Sequence, residues 1–288
     1  MSKFAPMLAV NADLKQIKYP VVVSPKYDGV RAVVVKGKLL SRKLLPIPNG
    51  YIQSFSWSRF EGCDGELIVG SPVGSDCFRR TTSGVMSQSG EPDFYFYVFD
   101  RMGEGDYSRR FLFRGMPEHP RVLLVKQQLV STPMQLTLAL DRNTYDGYEG
   151  SIIRDPYAPY KHGRSTVKEG YLLKVKPFAD SEGIVVGFEE KEHNDNVLKK
   201  DNLGHAKRSS AKAGKRGADT LGAILLRSTK WPDVIRVGTG FDDSLRQDIW
   251  NDKGHYLNRI AKFRYQDYGG KDKPRHASFL GFRNANDL

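Results

Sequence analysis

The sequence has little of what marks disulfide-rich, membrane-spanning or disordered proteins. Its 288 residues include only two cysteines, which excludes a disulfide framework and a Cys-based zinc site and favours a reducing, cytoplasmic location. No apolar run approaches the roughly 18 residues that span a bilayer, and residues 1–13 lack the pattern of a signal peptide. Hydrophobic residues make up 39% and charged residues 27%, which is typical of a folded, soluble protein.

Acidic residues are in the minority. The chain has 45 Lys and Arg against 33 Asp and Glu, a formal net charge of +12. Such an excess favours a phosphate-rich partner, because basic side chains replace the counterions condensed on nucleic acid. A basic, solvated surface without a ligand is the alternative that charge alone leaves open.

The hydrophobic pattern is mostly that of short β-strands. Two β-branched runs, residues 21–23 and 30–35, flank a turn at Asp28-Gly29. One helix is predicted within residues 121–140 and another over residues 243–261. A boundary after Pro177 divides the chain into predicted domains of residues 1–179 and 180–288. Further strand-like runs are residues 66–69, 94–99, 151–154, 171–175, 183–188, 223–227 and 233–237.

Residues 194–220, here named the basic segment, have little hydrophobic periodicity and are predicted to be a mobile loop between two strands. A solvated, flexible loop is one interpretation. A loop that binds phosphates and orders on contact is the other, which the charge density favours. The basic residues of the segment are Lys199, Lys200, Lys207, Arg208, Lys212, Lys215 and Arg216.

A lysine beside a glycine turn is the first candidate for chemistry. Lys26 lies between two predicted strands, so rigid flanks would hold its amine, and Asp28-Gly29 and Arg31 follow closely. A lone lysine near a turn is usually a surface residue. The acid, the glycine and the arginine at this spacing make Lys26 a stronger candidate.

Other polar pairs suit phosphate and metal. Lys174 and Lys176 are two apart on a predicted strand, so both side chains leave the same face and could hold one phosphate group. Glu66 and Glu149 each stand beside a glycine at a predicted strand end, where two carboxylates could bind Mg²⁺ or Mn²⁺, largely through water. An exposed basic edge and two solvated acids are the ordinary alternatives.

Two aromatic side chains could stack on a base. Tyr97 and Phe99 share a face of the predicted strand 94–99, whereas Tyr95 and Phe96 are expected in the core. The alternation of side chains does not decide between Tyr97 and Phe99.

Motifs along the chain resemble those of one superfamily. Residues 26–31, Lys-Tyr-Asp-Gly-Val-Arg, match the nucleotidyltransferase signature Lys-x-Asp-Gly-x-Arg, and residues 5–9 resemble the N-terminal sequence of the same proteins. Its other motifs are matched, in the same order, by residues 41–43, 64–66, 96–100, 148–154 and 173–177. Over nearly its whole length, the chain resembles the minimal ATP-dependent DNA ligases of the bacteriophage type.

The resemblance implies an α+β fold. An ATP-grasp-like nucleotidyltransferase (adenylation) domain of antiparallel sheets with helices would precede a C-terminal OB-fold β-barrel. The activity implied is the sealing of 3′-OH/5′-phosphate nicks in duplex DNA with ATP and Mg²⁺ or Mn²⁺. We also expect a monomer without a membrane partner, in the cytoplasm or, for a viral chain, in the host cytosol.

The resemblance also implies a role for each site residue. Lys26 would carry AMP as a phosphoramidate, with Lys174 and Lys176 on the phosphates and Phe99 on the adenine. Asp28 would serve the later steps at the nick, Arg31 would hold the ribose or a nick phosphate, and Glu66 the ribose hydroxyls. Glu149, with Glu66 as a second carboxylate, would hold the metal. The remaining implied contacts are Ser24 and Pro25 near the base, Arg42, Lys43 and the basic segment on DNA, and Arg275 and Arg283 on pyrophosphate.

The resemblance weakens at the C-terminal end. Residues 274–283 are similar to the sixth motif, which orients pyrophosphate. Many relatives continue with an acid and a lysine, where this chain has Asn-Ala-Asn-Asp at 284–287.

Four alternatives stay open. An RNA ligase shares the Lys26 motif but usually carries a helical C-terminal domain, whereas residues 181–238 are β-rich here. A capping-type nucleotidyltransferase would use GTP, and a NAD-dependent ligase needs an additional N-terminal module where only 25 residues precede Lys26. A non-catalytic OB-type nucleic-acid binder would need neither Lys26 nor a covalent nucleotide.

Overall fold

The protein, seen in a computed structural model that describes residues 4–111, 118–266 and 273–283, divides into two compact units. The first unit comprises residues 1–176 together with 200–205, and the second comprises residues 177–199 and 206–288. No helix of the described residues is long and apolar enough to cross a membrane.

The first unit contains two five-stranded sheets. The sheet with the order β1-β10-β9-β2-β8 is formed by β1 (Val10–Asn11), β2 (Val21–Lys26), β8 (Gln128–Val130), β9 (Gly150–Arg154) and β10 (Leu172–Val175). The sheet with the order β4-β3-β5-β6-β7 is formed by β3 (Val30–Val35), β4 (Lys38–Ser41), β5 (Cys63–Val69), β6 (Phe94–Arg101) and β7 (Val122–Leu124). Strand pairs in both sheets are antiparallel except β1 with β10 and β6 with β7.

The turn at Asp28-Gly29 lies between the strand β2 of one sheet and the strand β3 of the other. A Cβ atom at Gly29 would lie 2.2 Å from the carbonyl oxygen of Leu67 on β5, so only glycine allows the chain to pass so close. The turn therefore brings the end of β2 against the second sheet.

The described residues of the first unit form four α-helices: α1 (Gly50–Gln53), α2 (Cys77–Met86), α3 (Tyr107–Phe111) and α4 (Pro133–Tyr145). The helix predicted within residues 121–140 starts later than expected, because β7 and β8 occupy the first part of that stretch. The side chain of Thr132 caps α4 by accepting from the backbone of Gln135 at 3.3 Å, and Pro133 takes the first helical position.

The second unit is an OB-type barrel with the strand order β15-β14-β11-β16-β17. Its strands are β11 (Ala179–Asn194), β14 (Lys215–Ser228), β15 (Trp231–Val237), β16 (Ile260–Gln266) and β17 (Arg275–Phe282). A bridge from Thr239, after β15, to Ser278 on β17 joins the two ends of the sheet. Apolar side chains such as Leu226, Val237 and Phe263 fill the interior.

The helix predicted over residues 243–261 is shorter than expected. It is split into α5 (Asp243–Asn251) and α6 (Lys253–Tyr256), and the last residues already belong to β16. Asp252 caps α6 through its side chain, and Asn258 has a positive φ of 64° that ends the helical path. The apolar spacing that predicted one long helix therefore extends over two short helices and the start of a strand.

The basic segment is more ordered than the predicted loop. It contains a two-stranded hairpin of β12 (Leu198–Lys200) and β13 (Ala206–Arg208), a 3₁₀ turn at Lys212–Gly214 and the beginning of β14. At the hairpin turn, Leu203 is buried in the core of the first unit, and its carbonyl oxygen accepts a bond from the Ser41 hydroxyl at 3.2 Å. No hydrophobic pattern indicates this apolar anchor, because Leu203 stands alone among polar residues.

The predicted architecture, an α+β domain of largely antiparallel sheets with helices followed by a β-barrel, agrees with these two units. The predicted division at residues 179 and 180 falls at the first residues of β11.

A buried ion cluster joins three elements of the first unit. Asp100 on β6 accepts from Arg110 on α3 at 3.1 Å and from Arg154 on β9, and all three side chains are almost fully buried. The guanidinium of Arg154 lies 4.3 Å from the ring centre of Tyr107, so it also has an aromatic partner. Removing the one carboxylate would leave two buried cations without a counter-charge.

We predict that Asp100→Asn lowers the free energy of unfolding by about 3–5 kcal/mol, because it breaks a buried, hydrogen-bonded pair. Urea denaturation measures the loss. Asp93→Asn is the matched control, since its carboxylate pairs with Arg121 at 2.9 Å on the exposed surface and should cost no more than about 1 kcal/mol. Equal losses for the two variants would contradict the assigned importance of the cluster.

Candidate active site

A cavity of about 290 Å³ opens among strands of both sheets of the first unit. Its walls come from the ends of β2, β9 and β10, from β3, β5 and β6, and from the N-terminal residues Leu8 and Ala9. The structure brings together here the predicted residues Ser24, Pro25, Lys26, Arg31, Arg42, Glu66, Phe99, Lys174 and Lys176.

Lys26 forms an ion pair with Glu149, whose other carboxylate oxygen pairs with Lys176. The three residues come from neighbouring strands, because β9 lies between β2 and β10 and Lys26 stands opposite Gly150 in the β2–β9 register. A Cβ atom at Gly150 would lie 2.2 Å from the carbonyl oxygen of Val175, so the glycine after Glu149 allows this close approach. Lys26 was predicted to project from a loop, but it is the last residue of β2.

The carboxylate of Glu149 stays ionised. Burial acts to raise its pKa, but Lys26 and Lys176 outweigh burial and hold the pKa below its ordinary value. A buried carboxylate between two ammonium groups leaves this cluster with one net positive charge.

Arg31 is held by a buried acid. Its guanidinium donates two bonds to Asp64, at 2.9 and 2.6 Å, and the Tyr160 hydroxyl donates to the same carboxylate at 2.6 Å. Burial acts to lower the pKa of Arg31, but the Asp64 carboxylate outweighs it and raises the pKa. The backbone N–H of Met7 donates to the Tyr160 hydroxyl at 3.3 Å, which ties the N-terminal segment to this network. Arg31 is therefore fixed at the wall of the cavity.

Glu66 lies in the middle of β5, not at a strand end as predicted. It stands opposite Arg31 in the β3–β5 register and lines the cavity. Burial raises the pKa of Glu66 to about 7, the cations Lys26 and Arg31 oppose the rise, and the acids Glu149 and Asp28 add to it. Near neutral pH, Glu66 is thus present in both its neutral and its charged form.

The two predicted phosphate-binding lysines line the cavity together. Lys174 lies on β10, and Lys176 is the first residue after that strand. Burial and the nearby cations Lys176, Lys26 and Arg164 lower the pKa of Lys174. Because these positive side chains repel one another, binding of an anion between them is favoured.

Of the two aromatic candidates, Phe99 lines the cavity and Tyr97 does not; Tyr27 is a further aromatic residue of the lining. The guanidinium of Arg31 lies 5.1 Å from the ring centre of Phe99, and that of Arg154 lies 5.9 Å from it. The ring of Tyr97 instead stacks on Tyr27, with ring centres 4.7 Å apart. Base stacking is therefore open to Phe99 in this cavity.

Sequence reasoning missed two arginines of the cavity, Arg154 and Arg164. Arg154 could have been found, because it alternates with Ile152 on β9 and both line the cavity. Arg164 lies in a loop, where its guanidinium donates to the carbonyl oxygen of Ala9 at 3.0 Å, and no periodic pattern indicates it.

Other predicted residues lie outside the lining of the cavity. Asp28 is buried in the turn after Lys26, and Lys43 is exposed beyond β4. Arg275 is the first residue of β17 in the second unit, and Arg283 in the same unit donates to Glu182 at 2.7 Å.

In the basic segment, Lys215 and Arg216 lie on β14, where Lys215 pairs with Glu192 and Arg216 pairs with Asp195. The other basic residues of the segment are exposed: Lys199, Lys200, Lys207, Arg208 and Lys212. Residues 284–287 lie outside the described part of the chain.

The carboxylates fit a metal that brings most of its own ligands. The described residues contain no group of three or more His, Cys, Asp or Glu that could hold an ion unaided. Mg²⁺ is usually bound by one or two carboxylates together with water and substrate phosphates. Glu149, ionised beside Lys26 and Lys176, meets that requirement, and Glu66 meets it in its charged form.

Comparisons with known proteins agree with this architecture. The DNA ligase OB-like domain family matches residues 214–283. The Chlorella virus DNA ligase–adenylate is 29% identical, with 98% of each chain covered and a TM-score of 0.54. A Lig E DNA ligase, described as binding DNA with a minimal scaffold, is 24% identical over 97% of this chain and 99% of that chain, with a TM-score of 0.72. The bacteriophage T7 ATP-dependent DNA ligase in complex with ATP is 18% identical over 97% and 98% of the two chains, with a TM-score of 0.47. No curated protein sequence matches.

The fold is that of an α+β nucleotidyltransferase-type adenylation domain joined to an OB-like domain. Over nearly its whole length, this architecture is similar to that of minimal ATP-dependent DNA ligases, as the resemblance of the motifs predicted.

We predict that Glu66 makes stability pH-dependent in the absence of metal and nucleotide. The folded protein keeps the Glu66 proton up to about pH 7, whereas the unfolded chain loses it near the ordinary pKa of 4.5. Between these values the unfolded state binds fewer protons, so the free energy of unfolding falls as pH rises. Glu66→Gln removes this fall and should be more stable than wild type at pH 8, by up to about 3 kcal/mol, but not at pH 5.

Urea denaturation at the two pH values measures this difference. Glu91→Gln, an exposed carboxyl, is the matched control and should follow the wild type. A constant difference between wild type and Glu66→Gln at both pH values would contradict the raised pKa.

Proposed function

We propose that this chain seals nicks in duplex DNA with ATP through a lysyl-AMP intermediate on Lys26. The observation that carries the proposal is the position of Lys26, at the end of a rigid strand and inside a cavity with Arg31, Lys174 and Lys176. The Chlorella virus ligase, 29% identical, is described as a DNA ligase–adenylate, which supports an adenylate here.

In the first step, the Lys26 nitrogen attacks the α-phosphorus of ATP. A nitrogen–phosphorus bond forms, the bond to pyrophosphate breaks, and the amine gives up its protons to carboxylate or solvent. Lys26 pairs with Glu149 in the nucleotide-free protein. An amine bound to a carboxylate in this way is a cation, so Lys26 must leave Glu149 and become neutral before it attacks.

The cations around Lys26 serve both the substrate and the transition state. Lys174, Lys176 and Arg31 lie on the cavity wall where charge builds on the phosphate oxygens, and Asp64 keeps Arg31 in place. Phe99 offers its ring to the adenine. These side chains are placed before ATP binds, so little reorganisation is required during the reaction.

Glu149 and Glu66 would hold Mg²⁺ or Mn²⁺ together with the nucleotide phosphates. When bound, the metal supplies positive charge that neutralises the developing charge on the phosphates. A Glu149 carboxylate that also held the ion would be shared among Lys26, Lys176 and that ion.

Two further transfers complete sealing. The 5′-phosphate of the nick attacks the lysyl-AMP phosphorus, which frees Lys26 and gives a DNA-adenylate. The 3′-hydroxyl then attacks the 5′-phosphate, forms the phosphodiester bond and expels AMP. Asp28, buried beside Lys26, is assigned to these later steps, and Arg42 at the rim is assigned to a DNA phosphate.

The basic segment is proposed to close around the duplex, with Arg42 and Lys43 contacting the DNA backbone nearby. Residues 200–205 are anchored in the first unit by Leu203 and Ser41, one residue before Arg42. Lys199, Lys207 and other exposed cations of the segment are available to phosphates. Arg275 and Arg283 are proposed to bind pyrophosphate in the first step.

An RNA ligase and a GTP-dependent capping-type enzyme are the alternatives in substrate. The DNA ligase OB-like match at residues 214–283 supports the DNA ligase over both. Free, buried cysteines suit a reducing compartment, and we propose that the enzyme works as a monomer in the cytoplasm.

The first step is tested with α-labelled ATP, GTP or NAD and magnesium. We expect an acid-labile labelled protein only with ATP, and mass spectrometry should find AMP on the tryptic peptide that contains Lys26. Lys26→Ala should abolish the label, whereas Lys15→Ala, an exposed lysine, should not change it. Label that persists in Lys26→Ala would place the nucleophile elsewhere, and sealing of nicked RNA in preference to nicked DNA would favour an RNA ligase.

DNA contact by the basic segment is tested by the salt dependence of nick binding. Lys199→Gln/Lys207→Gln should weaken binding and reduce the slope of log affinity against log salt by about 0.9 for each phosphate that is no longer neutralised. The double variant is preferable to deletion of residues 196–218, because deletion also removes the buried Leu203.

The matched control for nick binding is Lys15→Gln/Lys168→Gln, which removes the same charge from exposed positions outside the segment. An unchanged slope in the Lys199/Lys207 variant, or an equal change in the control, would refute a DNA-contacting role.

A further inference from the structure

Three tyrosines form an aromatic cluster, and two of them are chain neighbours of the residues in the Lys26–Glu149 ion pair. Tyr27 directly follows Lys26, and Tyr148 directly precedes Glu149. The rings of Tyr27 and Tyr148 meet edge to face, with centres 5.3 Å apart and planes at 75°. The two partners of the Lys26–Glu149 pair therefore have chain neighbours that also contact each other.

Tyr97 completes the cluster from the second sheet. Its ring stacks on that of Tyr27 at 4.7 Å and 23°, and it lies on β6 two residues before Phe99. Tyr27 is buried and packs with Ile68 and Cys77, which fixes its ring in an apolar setting. Burial, followed by the neighbours Tyr148 and Tyr97, raises the pKa of Tyr27, so its hydroxyl stays protonated.

We propose that Tyr27, Tyr97 and Tyr148 are positioning residues for adenylation, which fix the backbone of Lys26 relative to Glu149 and to the Phe99 wall. The inference rests on the proposed adenylation of Lys26. Tyr27 also lines the cavity, whereas Tyr97 and Tyr148 lie outside its lining, and the role proposed for all three is exerted through the side chains beside them. Aromatic pairs of this geometry give directional contacts in addition to their buried area.

The alternative is that the cluster contributes only to the stability of the core. The two interpretations differ in what a substitution changes. A core defect lowers the fraction of competent molecules, whereas a misplaced nucleophile lowers the rate of each competent molecule. A displacement of about 1 Å can cost up to about 10²-fold in rate.

The experiment is single-turnover formation of the enzyme–adenylate with labelled ATP, which gives an amplitude, a rate constant at saturating ATP and the ATP concentration for half the maximal rate. For Tyr27→Leu we expect the rate constant to fall about tenfold or more, with less than about a twofold change in amplitude or in half-saturation. Tyr27→Phe keeps the ring and should recover the rate to within about threefold of wild type.

Tyr148→Leu, a half-buried position, provides the second variant and should show the same loss of rate if Tyr27→Leu does not fold. Tyr145→Leu is the matched control, because its side chain is 92% exposed and should leave all three parameters unchanged. Wild-type rate constants in the leucine variants, or a loss confined to the amplitude, would overturn the proposal. A Tyr27→Phe variant as slow as Tyr27→Leu would also count against the ring contacts. Absence of adenylate on wild type would instead reject the proposed function.

Discussion

The active site depends on one carboxylate, Glu149, shared by two lysines at the ends of three neighbouring strands. Its burial would be costly if it were unpaired, and the same is true of each lysine without it. The pairing of β2, β9 and β10 brings the three groups together before any ligand is present. The arrangement still carries an excess of positive charge, since Lys174, Arg31 and Arg164 also line the cavity. A polyphosphate is the ligand that such an excess favours.

Concentrating like charges costs stability, and the rest of the first unit offsets the cost. The fully buried side chains of Trp57, Phe94 and Phe96 belong to the core against the second sheet. Asp64 holds Arg31 and Asp100 holds Arg154, and both arginines line the cavity. Glu66 shows the conflict most directly, because burial outweighs two nearby cations and keeps it partly protonated near neutral pH. Such local conflicts within a consistent fold are typical of functional sites.

The sequence allowed much of the fold and the cavity to be predicted, for reasons that are local. Turn chemistry predicts the Asp28-Gly29 turn, and strand alternation predicts that Lys174 and Lys176 lie together. In the structure, the two lysines line the cavity and the turn lies beside it. Arg164 and Leu203 were not predictable, because each acts through a partner more than a hundred positions away in the chain, Ala9 or Ser41. The helix over residues 243–261 was too long because apolar spacing alone does not show where Asn258 turns the backbone.

Adjacent residues of the motifs divide the work between chemistry and support. In the first motif, Lys26 and Tyr27 both line the cavity, but Lys26 pairs with Glu149 while Tyr27 packs among apolar side chains. In the fourth, Tyr148 joins the same cluster and Glu149 holds the two lysines. A short motif can therefore specify both a reactive group and the contact that holds it, because each charged residue is covalently joined to a tyrosine of the cluster. For the same reason, a substitution beside Lys26, the proposed nucleophile, cannot be regarded as remote from the reaction, even where it touches no substrate.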